Sequence, residues 1–154
     1  MDGTNINRTA FSATLHCLTG CAIGEVLGMI IGMTVGLSNL PTVILSIILA
    51  FIFGYSFSIL PVVRSGVALK AALLLVLAAD TLSITTMEIV DNAVIVAIPG
   101  AMDAGLTSIL FWGSMALSLV VAFIAAFPVN RYLLSRGKGH ALIHEHHHSH
   151  HDHQ

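Results

Sequence analysis

The chain has 154 residues, 56% of them hydrophobic and only 9% charged, with a mean hydropathy of +0.91. A soluble domain carries about 25% charged residues, so this composition excludes an ordinary water-soluble globule and makes lipid the natural solvent. The net charge of -2 gives no reason to expect a nucleic-acid partner, and two cysteines in one apolar segment do not make a disulfide scaffold.

Residues 1–9, "MDGTNINRT", form a polar N-terminus. The apolar run that follows is too long for the core of a cleavable signal peptide. It is the first of four expected membrane spans, at about 10–37, 41–60, 67–98 and 106–127. A span needs about 20 apolar residues, and all four suffice. The expected fold is all-α: a bundle of four transmembrane helices over 10–136, followed by a His-rich tail at 137–154. The expected location is the cell membrane, multi-pass.

Span one carries two interleaved patterns. Gly20, Gly24, Gly28, Gly32 and Gly36 recur every four residues. Such a ladder lets another helix backbone approach closely in lipid, either within the bundle or between copies in a homo-oligomer. The adjoining register holds Cys17, Cys21, Glu25, Met29 and Met33. Residues four apart are neighbours on a helix surface, so these groups share one winding strip that faces protein rather than lipid. Thiolate, thioether and imidazole are ligands for soft or borderline metals. His16, Cys17 and Cys21 are therefore candidate ligands near one end of the span. The competing reading is that cysteine and methionine simply pack the core. Glu25 is harder to explain that way, because a mid-span carboxylate costs several kcal/mol and needs a partner or a role.

Span two is almost wholly apolar, with Pro41 suited to a helix start. Span three, in contrast, holds Asp80, Glu88 and Asp91. Asp80, Met87 and Asp91 fall on one helix face, with Thr81, Thr85, Glu88 and Asn92 adjoining. Counted from the cytoplasmic ends at 1.5 Å per residue, Asp80 should lie level with Cys21, and Glu88 with Met29. No Lys or Arg lies inside the spans to pair with these acids. They need a proton, a hydrogen-bonding partner, water or a cation. Pro99–Gly100 suits a helix stop, and span four adds small packing residues with Trp112 and Tyr132 near the two interfaces.

The tail "GKGHALIHEHHHSHHDHQ" contains His140, His144, His146, His147, His148, His150, His151 and His153. Such a tract can bind Zn, Ni or Cu through imidazole, and disorder is expected without metal. A solubilising, pH-responsive tail is the plainer reading. All six basic residues, Arg8, Arg64, Lys70, Arg131, Arg136 and Lys138, lie on one side if both termini are cytoplasmic. That is the orientation the positive-inside bias predicts.

The stretches "ATLHCLTGCAIGEVLGMIIG", "LAADTLSITTMEIVDNAVIVAIPGAMDAGL" and "FWGSMALSLVVAFIAAFPVNRYLLSRGKGHA" resemble a family of small four-helix prokaryotic membrane proteins catalogued as a domain of unknown function. The resemblance covers roughly Phe11 to Ala141. It implies a membrane bundle and carries over no catalytic residue; some relatives bear a copper-related label.

The leading expectation is a membrane protein that binds or transports a transition metal, copper first and zinc next. Its path would comprise His16, Cys17, Cys21, Glu25, Met29, Asp80, Glu88 and Asp91. A membrane redox enzyme with a carboxylate/His metal centre ranks lower, because the Glu-x-x-His pairs of di-metal bundles are missing. A proton- or cation-conducting or accessory subunit without metal is the third reading. No P-loop, G-x-S-x-G or H-E-x-x-H is present to suggest an ATPase, serine hydrolase or zincin.

Overall fold

The structure is a computed structural model that describes residues 3–64, 66 and 68–148. Side chains 3, 4, 62, 71, 72, 75 and 137–148 lie outside that description. Four helices follow in chain order: α1 Gly3–Val35, α2 Asn39–Arg64, α3 Leu69–Ala97 and α4 Ile109–His148. Among the described residues there is no strand. Three helices are long and apolar enough to cross a membrane, over 5–35, 39–61 and 109–136.

The helix ends follow local chemistry. At the end of α1, Gly36 adopts φ 77°. The Leu37 amide donates to the Gly32 carbonyl (2.8 Å) and the Gly36 amide to that of Met33 (3.3 Å). This is a Schellman cap, which needs a residue that tolerates left-handed backbone. Pro41 sits in the first turn of α2, where a missing N–H costs nothing. After α3, Ile98 turns to extended backbone and Gly100 takes φ 79°, as the Pro-Gly pair predicts. The N-terminal segment is helical from Gly3, and α4 runs through the boundary expected at 136/137 as far as His148.

The glycine ladder is used within the chain. A Cβ on Gly24 would come within 2.4 Å of the Leu49 and Ala50 backbone, and one on Gly20 within 2.7 Å of the Phe53 carbonyl. Gly28 and Gly32 abut Ser46 and Thr42 in the same way. Gly20 to Gly32 are therefore covered by α2, and a homo-oligomer would need a different surface. The fifth member, Gly36, serves as the cap and touches nothing. α1 and α2 form one closely packed hairpin, and α3 packs mainly on α4 as a second.

The α1–α2 turn and the α3–α4 segment lie together at one end, where the Asn39 side-chain amide donates to Asp103 (3.0 Å). We call this the loop end. Toward the other end, Asn130 of α4 donates to the buried Thr14 hydroxyl of α1 (2.8 Å). Between these ties lies a core of Cys17, Cys21, Ala50, Ile84, Met87, Ala122 and Ala126. The outer surface is apolar: Leu40, Val96, Ile109 and Ile124 are all largely exposed.

Candidate functional site

The acids of α1 and α3 meet where the two hairpins face each other. Glu25 lies against both Glu88 and Asp91, side chain to side chain. All three are about 95% buried. Glu88 also faces the Cys21 thiol, and Cys21 in turn contacts Cys17. Asp91 is in contact with Ser118 of α4. No N–H or hydroxyl reaches either oxygen of Glu88 or Oδ1 of Asp91. What faces these oxygens is chiefly other carboxyl groups, which can share a contact only through a proton or a cation. None of the six Lys and Arg residues lies in α1 beyond residue 8 or in α3 beyond residue 70.

The expected depth match is offset. Glu88 lies level with Cys21 and Glu25 rather than with Met29. The reason is at the loop end. Asp91 is six residues short of the end of α3, whereas Glu25 is ten short of the end of α1. The four-residue difference, about 6 Å of helix, is taken up by the segment Ile98–Ser108, whose Ala101 is buried.

A cavity of about 120 Å³ runs from Glu25 and Asp91 toward the loop end. It has room for several waters. Its wall includes Met29, Met33, Asn39, Ser46, Asn92, Met102, Ser114 and Met115. Ser46 is buried, and its hydroxyl has no partner.

The residues singled out from the sequence therefore divide. Cys17, Cys21, Glu25, Glu88 and Asp91 form a chain of contacts, and Met29 lines the cavity above it. His16 is exposed, and its Nδ1 lies 2.7 Å from the Ser12 carbonyl. It points about 100° away from Cys17 on the helix and does not join the thiols. Asp80 sits apart beside Ser58 of α2, eight residues or about 12 Å along α3 from Glu88. Among the described residues, no three His, Cys, Asp or Glu side chains are arranged to hold a metal ion. The tail histidines fall outside the described side chains. Met102, Met115 and Ser46 escaped the sequence reading, and Ser118 was read only as a packing residue. They are spread over α2, the α3–α4 segment and α4, and only the packing of the helices brings them to the site.

The chain belongs to a family described as a domain of unknown function, DUF4396, whose profile matches residues 7–139. Comparison with curated proteins and with solved structures finds no match.

Proposed function

We propose that this DUF4396 member is a multi-pass protein of the cell membrane that passes a cation, a transition metal first, across the bilayer along Glu25, Glu88 and Asp91, which meet without forming a preassembled metal site. The observation that carries this reading is the meeting of three buried carboxyl groups with no basic partner, two of which, Glu25 and Asp91, line a cavity. Charge collected in lipid without a function is too costly to retain. A cation supplies the missing positive charge, and the contact between hairpins gives it a place to cross.

The reading takes α3 as the fourth span. Leu69, Leu73, Leu74, Leu77, Leu82, Ile89 and Val96 are among its exposed residues, while Glu88 and Asp91 are buried, so α3 turns apolar side chains outward and these acids inward. Both termini are then cytoplasmic and the loop end is outside, as the six basic residues require. Cys17 and Cys21 lie on the inner side of the carboxylates as soft ligands, and copper or zinc is the metal we would test first. The His-rich tail would collect metal on the cytoplasmic side.

A second reading, a proton relay, draws on different contacts. Tyr55 and Thr81 share a hydrogen bond of 2.7 Å, and Ser58 meets Asp80. These groups form a second polar cluster toward the inner end, beyond the buried Ile84, which a relay would have to join to Glu88. The test of both readings is whether the reconstituted protein carries a cation across a sealed bilayer. Neutralising Glu25, Glu88 and Asp91 together should stop it.

A further inference from the structure

Six methionines occur in the chain, and their placement is uneven. Met29 and Met33 of α1, Met102 of the α3–α4 segment and Met115 of α4 all line the one cavity that leads to Glu25 and Asp91. Met87 lies instead in the packed core with Cys17 and Cys21. Three separate parts of the chain thus deliver thioethers to one wall.

We propose that Met29, Met33, Met102 and Met115 form a receiving site for a soft monovalent cation, Cu(I) or its redox-inert analogue Ag(I), which passes from there to Asp91 and Glu25. The proposal rests on the cation-handling reading and adds the cation's class and the side from which it arrives.

The chemistry follows from the lining. Thioether sulfur is neutral, polarizable and a weak hydrogen-bond acceptor. It replaces water poorly around a hard ion such as Na⁺ or Mg²⁺ and well around Cu(I). Four thioethers leave the ion's charge uncompensated, so the carboxyl groups at the inner end of the cavity supply the attraction that draws it on. Two of the lining residues also carry unpartnered polar atoms. Ser46 Oγ and Asp91 Oδ1 are without partners, and both residues are more than nine-tenths buried.

Methionine also fills irregular gaps in cores, as Met87 does at 1% exposure. Met33, however, is 44% exposed, and Met29 and Met102 are only half-buried. These three are not packed on all sides, whereas Met115, at 6% exposure, is packed much as Met87 is. Because the cavity lies toward the loop end, a cation received here comes from the side opposite the termini. With the termini cytoplasmic, the direction is uptake.

The experiment uses the full chain with Cys17 and Cys21 replaced by serine, so that no thiol competes for Ag(I), in detergent micelles and labelled with ¹³C at the methionine methyl groups. Ag(I) is titrated to saturation at pH 5, where most tail imidazoles, with ordinary pKa of about 6.5, are protonated and bind metal weakly. Thioethers do not titrate and remain available. The methyl signals of Met29, Met33, Met102 and Met115, each assigned by its Met→Leu variant, should shift together, while those of Met87 and Met1 stay in place. Na⁺ at the same concentration should move none of them. The fourfold Met→Leu variant keeps volume and apolarity and should bind Ag(I) at this site at least tenfold more weakly. The proposal is overturned if the four signals stay in place, or if they respond equally to Na⁺. It is overturned too if the fourfold variant binds Ag(I) as its parent does. In any of those cases, cation flux that still depends on Glu25, Glu88 and Asp91 would leave the broader reading standing.

Discussion

Replacing Gly24 with alanine tests the packing that fixes Glu25. The added Cβ would meet the Leu49 and Ala50 backbone at 2.4 Å, where a tight but tolerable contact is about 3.4 Å. The α1–α2 hairpin must therefore open by about 1 Å, because a backbone cannot rotate away as a side chain does. Overpacking of this kind costs about 1–3 kcal/mol. The helix propensity gained by removing a glycine returns at most about 1 kcal/mol. With the obstruction on both sides of one peptide, we expect a net loss near 2 kcal/mol, or about thirtyfold in the folding equilibrium. Gly113→Ala is the matched control, since nothing lies within 4 Å of its Cβ position. That variant should be neutral or gain up to about 1 kcal/mol. Unfolding by SDS in mixed micelles, followed by circular dichroism, measures both. If Gly24→Ala is as stable as wild type, the ladder does not hold the hairpin, and the tight α1–α2 packing argued above is wrong.

Two further outcomes follow from the fold. In a background with Cys17 and Cys21 replaced by serine, Asn39→Cys and Asp103→Cys should both react with an impermeant maleimide added outside intact cells; reaction of either only after lysis refutes the topology. Asn130→Ala removes the donor to Thr14 and should cost about 0.6 kcal/mol, the mean for hydrogen bonds between membrane helices, and at most about 1.7 kcal/mol, in the same SDS unfolding; an unchanged midpoint would mean this contact does not tie α4 to α1.

Particular residues show how far the sequence carried the structure. The stop at Pro99–Gly100 was legible because it depends on adjacent residues, whereas Gly36, read as a rung of the ladder, is the cap of α1. The glycine ladder announced a close helix contact but not its partner, since small residues fit α2 of the same chain or a second copy equally well. Glu25 and Asp91 declared themselves by cost alone: a carboxylate in an apolar run demands an explanation wherever it points. Their exact neighbours depended on the stagger of α3, which the long segment Ile98–Ser108 sets and which residue counting cannot see. His16 looked like a ligand because it adjoins Cys17 in sequence, yet adjacent helical residues diverge by about 100°. The methionine wall was invisible for the opposite reason: Met102 and Met115 are far from Met29 in the chain and meet it only in the folded bundle.

The central claim, that Glu25, Glu88 and Asp91 hold a cation in transit, is tested most directly by flux into sealed proteoliposomes. Vesicles containing wild type or the Glu25→Gln, Glu88→Gln, Asp91→Asn variant are exposed to Ag(I) or Zn(II), and metal inside is measured by mass spectrometry alongside an entrapped pH dye. The account predicts metal accumulation by wild type well above protein-free vesicles, and its loss in the triple variant with the helical content unchanged. Equal accumulation by wild type and the triple variant would contradict it, as would wild-type vesicles that admit neither metal nor protons.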